Sequence, residues 1–391
     1  MTCTKAFAVP DNNAMNVLHV SPRLSPGGIK QLAADLAVGL QQAGFRNTVI
    51  APPNELVGRL AAASVQHHSM RTLSIFNYRS EVKRIRHIAG SCKADIILTY
   101  TTQATYLTWI ACKNMPEESR PRIIGIHATY PRYRGWTLSL ECCDALVATS
   151  RHLRDELTRR ASLDAERHIW VIPYGVNEEL CHPAYAPANA WLEQWNRNHP
   201  TSEDTLRICM AGSITPLHGH DDIPAILTKL ENAGVNAHLY IAGDTARASQ
   251  KHYASVQKKL RQNKVEYMVT WLGVRTDLRD IISACDVLIS LTKQPPCHDR
   301  AVLEALSLGK PVAGYDHGII GELLDRYLPE GRVAPGDIAG IADRLEQWHA
   351  YRPVFEGNLL PPFRLADTIR GVAELCTAVC QGGMADQLPK H

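Results

Sequence analysis

Twice along this chain, short apolar runs alternate with segments of helical period. That rhythm constrains the fold more than any other feature. In the first half NVLHV (from Asn16), TVIAP (from Thr48), ADIILTY (from Ala94), RIIGIH (from Arg122), DALVATS (from Asp144) and IWVIP (from Ile169) read as strands. After the break at Pro26-Gly27-Gly28, Leu32, Leu36, Val38 and Leu40 recur near helical spacing. The second series has strands LRICMAG (from Leu206), AHLYIAG (from Ala237), VTWLG (from Val269), DVLISL (from Asp286) and PVAGYD (from Pro311). Helices are expected between them, near 220–233, 247–263, 276–284 and 299–308, with amphipathic helices from Ala339 and Leu365 after them. Strands this apolar, separated by helices, predict parallel sheets covered on both faces. Residues 183–200, rich in proline, tryptophan and asparagine, interrupt the rhythm and read as the crossing between domains. The expected architecture is α/β, with two doubly wound halves facing a cleft and ligands bound beyond the carboxyl ends of the strands.

Length supports two cores, since 391 residues exceed what one usually sustains. Apolar content of 45% and charged content of 21% describe a globular chain. The net charge of +3 is too small to argue for nucleic acid, which is not expected as a partner. All of the excess lies in the first half, with 21 Lys and Arg against 15 Asp and Glu up to residue 184. Such a bias attracts anionic substrates or an acidic membrane face, and it also suits ordinary solvated charge. The eleven cysteines form no metal-type cluster and read as small hydrophobes of a reducing compartment. The opening MTCTKAFAVPDNN lacks the apolar core of a signal peptide, and no run approaches the roughly 18 apolar residues of a spanning helix. The expectation is a cytoplasmic protein, or one peripheral at the cytoplasmic face of the membrane.

One stretch carries the chemistry. In CHDRAVLEALSLGKPVAG, from Cys297 to Gly314, Asp299 is the expected N-cap of a helix over Arg300–Leu308, with Gly309 and Pro311 as its stop. The first-turn amides around Ala301 and Val302 are an expected anion site, reinforced by the guanidinium of Arg300. Glu304 lies just over one turn in. A carboxylate there is suitably placed to accept both hydroxyls of a ribose whose phosphates sit on the amides. The same spacing also suits a plain surface glutamate.

At these residues the chain resembles the family 4 glycosyltransferases of two-domain GT-B fold. LEALSLGKPVAGYDHGIIGELL is similar to the family signature. LHVSPRLSPGG, CDALVATSRHLRDEL, VIPYGVNEELCHP, YIAGD, VTWLGVRTDLRDIISACDVLIS and VAPGDIAGIADRL follow in the family's order along nearly the whole chain. The resemblance implies two Rossmann-like domains: residues 1–184 for the acceptor, 185–362 for a nucleotide-sugar donor, and a helix over 363–391 that crosses back onto the first. It implies transfer of a hexosyl-type sugar with retention of configuration, without a metal or other cofactor. The partners it implies are a nucleotide sugar and a glycan or glycolipid acceptor, in lipopolysaccharide core or cell-surface polysaccharide biosynthesis.

The chain departs from the family pattern in two places. Of the motif's two glutamates, Glu304 matches the second, but the first position is Pro296, which puts contacts to the donor sugar in doubt. His298 and Asp299, in the same loop, are candidate substitutes or merely cap the turn. After the first strand of the second series, Ser213 stands where the family commonly has arginine and His218 where it has lysine. Each charged contact to phosphate contributes roughly 1.5–3 kcal/mol, so the loss calls for a replacement. Arg300 is the expected one, and some family members carry arginine there. His218 or His220 would assist.

In the first half, Gly27 and Gly28 are expected to let a loop approach the diphosphate. His127, ending RIIGIH, matches a histidine that in the family contacts the donor sugar near the reacting bond. With Arg300 and His218 it is a candidate catalytic residue. The loop ATYPRYRGW carries Arg132, Tyr133 and Arg134, which suit a phosphorylated glycan or glycolipid. RSEVKRIRH, from Arg79, is a basic face fit for anionic headgroups or for plain solvent. The competing expectation is a catalytically weak relative that binds nucleotide or glycan and acts through a partner. A nicotinamide enzyme is disfavoured, because PGGIK lacks the GxGxxG spacing.

Overall fold

The structure, a computed structural model, describes residues 14–22, 24, 31–71, 77–130, 138–161, 169–244, 249–351, 353 and 363–381. The first sheet contains β1 (Asn16–Val20), β2 (Arg46–Ala51), β3 (Gln66–Ser69), β4 (Ile96–Thr99), β5 (Arg122–His127), β6 (Ala145–Ala148) and β7 (Ile169–Val171) in the order β3-β2-β1-β4-β5-β6-β7. The second contains β8 (Leu206–Ala211), β9 (Ala237–Ala242), β10 (Val269–Gly273), β11 (Val287–Ser290), β12 (Val312–Tyr315) and β13 (Arg332–Val333) in the order β10-β9-β8-β11-β12-β13. Every pairing in both sheets is parallel. The central strands β4 and β11 are buried along their whole length, as strands covered on both faces must be.

Two elements run against the composition of their segments. Strand β3, QHHS, has no apolar residue and forms at the sheet edge, where β2 offers a ladder and the His67 Nε2–H donates to the Ala51 carbonyl at 3.0 Å. Within the segment read as a crossing, Asn189–Asn198 is a helix. Trp191 stacks on Trp195 at 5.2 Å between ring centroids, Trp195 packs on Tyr240, and the Trp191 indole donates to Asp277 at 2.8 Å. Aromatic burial against β9 therefore overrides the linker-like composition.

The chain divides into two compact units. One ends at Tyr174 and takes in the chain again from Ala366; the other runs from Gly175 to Leu365. The change of unit thus falls ten residues before the expected 184/185 boundary. The C-terminal helix Leu365–Cys380 belongs to the first unit. It buries Thr368, Val372, Leu375 and Cys376, and Thr368 Oγ1 donates to the Pro173 carbonyl at 2.7 Å. The cysteines among the described residues are free thiols. Among the same residues, no helix is long and apolar enough to cross a membrane.

In each sheet the strand order reverses once, between β1 and β4 and between β8 and β11. At such a reversal the chains leaving the two strands part to opposite faces and open a crevice, where doubly wound sheets hold ligands.

Candidate active site

The crevice of the second sheet is built from the loops that follow β8 and β11. After β8, Gly212 adopts φ +146, and a Cβ there would lie 3.3 Å from the His218 ring. The turn Pro216–His218 follows, then Gly219 at φ +75, whose missing Cβ would sit 1.9 Å from the Leu291 carbonyl oxygen. Only glycine permits both that backbone and that approach. The Lys293 amide donates to the Leu217 carbonyl at 2.8 Å, so the two loops are laced together. Ser213 is exposed. His218 Nδ1 meets Thr215 Oγ1 at 2.7 Å; burial lowers its pKa, and the neighbouring Asp299 carboxylate pulls it back up.

The helix Arg300–Ser307 stands beside this crevice. Val302, Leu303, Ala305 and Leu306 are buried, and Gly309 ends it at φ +69. Asp299 caps it: Oδ1 accepts from the Val302 amide at 3.1 Å, and Oδ2 accepts from Ser290 Oγ at 3.0 Å. This corrects the sequence-based expectation for Val302. Its amide does not point open at a phosphate, because the capping carboxylate of this chain's own Asp299 takes it. The same bonds occupy the Asp299 carboxylate that was a candidate substitute for the missing glutamate. Burial raises its pKa against those hydrogen bonds.

Glu304 is 5% exposed, which rules out the plain surface glutamate. Arg300 donates from Nε to Glu304 Oε1 at 2.7 Å, one turn away on the same face. Burial, with the Arg300 charge beside it, pushes His298 down to about 3, so its imidazole is neutral at physiological pH. Pro296 contributes main chain only. Its carbonyl accepts from the Ile319 amide at 2.9 Å, and it lies so close to Gly318 (φ +57) that a Cβ there would be 2.5 Å from the Pro296 oxygen. The position of the family's first glutamate thus seats the helix Gly318–Tyr327.

Sequence reasoning missed one group of side chains here. Asp222, 8% exposed, accepts from the Tyr315 hydroxyl at 2.8 Å on Oδ2 and pairs with Lys293 Nζ at 3.1 Å on Oδ1. Burial and the Asp222 carboxylate push the Tyr315 phenol up, so it stays a neutral donor. The available signal was position alone: Lys293 follows DVLISL at the carboxyl end of a strand. His220, fully buried, is pushed down to about 4 by burial, with His218 and His252 adding to the shift. Among the described residues, no three His, Cys, Asp or Glu side chains are grouped to hold a metal ion.

In the first unit, His127 ends β5 but is 2% exposed, and its ring lies over Gly125, with Nε2 3.0 Å from where a Cβ would be. Burial pushes it down to about 4, and Nε2 has no hydrogen-bond partner among the described residues. Gly27, Gly28, Arg132, Tyr133 and Arg134 lie outside the described residues. On the helix Tyr78–Ser91, Lys83 and Arg84 are exposed, while Arg86 donates to the Ala111 carbonyl at 2.6 Å and so satisfies a helix end.

Two Rossmann-like parallel sheets, each with one reversal of strand order, make this a two-domain GT-B fold. Residues 26–180 match the family model described as Glycosyltransferase Family 4, and residues 205–350 match that described as Glycosyl transferases group 1. The chain is a family 4 glycosyltransferase. Among solved structures it is similar to a glycosyltransferase from Rickettsia africae, with TM-score 0.83, 19% identity, and coverage of 94% of this chain and 99% of that one. It is also similar to Anabaena HepE in complex with UDP and glucose, with TM-score 0.78, 16% identity, and coverage of 93% and 100%. A third is the apo form of the lipopolysaccharide outer core galactosyltransferase WaaB, with TM-score 0.69, 13% identity, and coverage of 93% and 100%. No curated protein matches the sequence.

Proposed function

We propose that the chain moves a hexosyl-type sugar from a nucleotide-sugar donor to a glycan or glycolipid, with retention of configuration, in building lipopolysaccharide core or cell-surface polysaccharide. The observation that carries the donor side is the buried Glu304 held by Arg300 beside the crevice of the second sheet. A buried carboxylate fixed by a guanidinium is preorganised to accept two ribose hydroxyls, and the guanidinium is suited to a neighbouring phosphate. HepE, of the same fold, was crystallised with UDP and glucose, and WaaB is a galactosyltransferase of the lipopolysaccharide outer core. Both support the choice of donor class and acceptor class.

In this reading the leaving diphosphate takes the proton of the incoming hydroxyl on the same face of the sugar. The protein's part is to orient two substrates and to stabilise charge developing on the diphosphate. Arg300 does the latter and Glu304 the former. His218, neutral in the free protein, becomes a better donor as phosphate charge raises its pKa. His127 acts as a neutral imidazole toward the sugar, and Arg132, Tyr133 and Arg134 toward the acceptor. No metal is required, and the protein works in the cytoplasm, either free or peripheral at the cytoplasmic face of the membrane.

A thermal-shift series with UDP, GDP and nucleotide sugars tests the donor. Stabilisation grows with the logarithm of ligand concentration over its dissociation constant. Absence of stabilisation by any of them sinks the proposal. Pro296 favours a second reading, since its main chain leaves no carboxylate for the donor sugar. In that case the chain binds nucleotide tightly yet transfers to no acceptor and works through a partner. Transfer and donor-hydrolysis assays separate the two.

A further inference from the structure

We propose that Lys293 supplies the positive charge toward the donor diphosphate that Ser213 and His218 do not, with Asp222 as the residue that positions it. The inference rests on the nucleotide-sugar reading above and deepens it.

The argument is one of placement. Strands β8 and β11 are the neighbours at which the order of the second sheet reverses, so the loops that leave them form the two lips of one crevice. Ser213 and His218 are on the β8 lip; Lys293 is on the β11 lip. The lips are held in register by the bond from the Lys293 amide to the Leu217 carbonyl and by the contact of Gly219 with Leu291. The backbone of Lys293 is therefore bonded to the residue next to His218, where the family carries its lysine. A cation lost from one lip is restored from the other.

Asp222 gives the ammonium a defined position. Its carboxylate is fixed from two sides, by the Tyr315 hydroxyl on one oxygen and by Lys293 on the other. An ammonium has three N–H donors and Asp222 occupies one direction. The lysine side chain is 41% exposed, so it is accessible to a ligand while it holds Asp222. An ammonium aimed at a dianionic group adds much to its affinity.

Calorimetric titration of UDP, uridine, GDP and guanosine into the full-length wild type, Lys293→Gln and Lys293→Arg tests this. Glutamine keeps a donor for Asp222 while removing the charge. For whichever nucleotide the wild type binds, Lys293→Gln is expected to weaken the diphosphate about tenfold or more while leaving the nucleoside unchanged. Lys293→Arg is expected to restore most of the loss. In a double-mutant cycle, Asp222→Asn should weaken the diphosphate in the wild type and cost nothing further in Lys293→Gln. Unchanged diphosphate affinity in Lys293→Gln, or an equal loss for nucleoside and diphosphate, overturns the assignment of Lys293 and leaves the donor class standing. Additive effects overturn the role of Asp222. A wild type that binds none of the four overturns the donor reading and this inference with it.

Discussion

Nε of Arg300 lies 2.7 Å from Oε1 of Glu304, and the carboxylate it holds is almost wholly buried. Neither side chain is left in that position for a helix's sake, since a pair one turn apart adds only about 0.2–0.5 kcal/mol. A buried carboxylate with one fixed partner is poised for others. Glu304→Ala should therefore weaken nucleoside diphosphate binding by roughly 1–3 kcal/mol. The 2′-deoxy nucleotide, which lacks one of the two hydroxyls, should lose much less on the same substitution. Calorimetry giving equal losses for both would remove the ribose assignment.

Arg300 and Ser213 offer a kinetic contrast. Arg300→Ala removes a guanidinium from the crevice and a partner from Glu304, whereas Ser213 is exposed. Turnover should fall by roughly tenfold or more with Arg300→Ala and change little with Ser213→Ala. Steady-state kinetics in the reverse order would show that the charge is supplied elsewhere.

Asp299 joins Val302 and Ser290 through one carboxylate. Asp299→Ala should cost about 1–2 kcal/mol of stability, read as a lower denaturation midpoint at unchanged slope. It should also release the Val302 amide, so affinity for inorganic phosphate is expected to rise. A stable variant with no gain in phosphate affinity would mean that this amide never faces an anion.

Acid should unfold the protein through its buried histidines. His19 Nε2–H donates to Asn47 Oδ1 at 2.9 Å, and Nδ1 faces the Tyr100 hydroxyl at 2.7 Å. Burial lowers its pKa from 6.5 to about 4, and burial likewise brings His127 and His220 to about 4. Because the folded pKa is depressed, the unfolded chain takes up these protons first. The stability they contribute is complete above pH 6.5 and is lost as pH falls through that value toward about 4. Urea midpoints measured from about pH 7 to about pH 4.5 should follow this slope, and His19→Gln should flatten it. A midpoint independent of pH over that window would contradict the linkage.

Gly219→Ala combines an unfavourable backbone, φ +75, with a Cβ driven onto the Leu291 carbonyl. A loss of roughly 2–5 kcal/mol is expected, and with it the register of the two crevice loops. Gly234→Ala, where φ is +73 but nothing lies within 4 Å, should cost only the backbone part, about 1–2 kcal/mol. Equal melting temperatures for the two variants would show that the close approach to Leu291 carries no strain.

The core strands, the Asp299 cap and the Gly309 stop were all legible in the residues themselves. Each depends on neighbours within about one turn or one strand, where period and local hydrogen bonding decide the outcome. The alternation repeated through both halves likewise determined two parallel α/β units. What the residues could not disclose depended on partners far along the chain. QHHS is a strand because β2 offers it a ladder, and Asn189–Asn198 is a helix seated by Tyr240 and Asp277. The cap that was correctly read also closed the Val302 amide that was expected to be open, because one carboxylate cannot both take that N–H group and leave it for a ligand. The meeting of Lys293, Asp222 and Tyr315 joins residues of three separate segments, Asp222 and Tyr315 being 93 residues apart. Only the order β8-β11-β12 in the second sheet brings those charges to one crevice, and no local pattern records it.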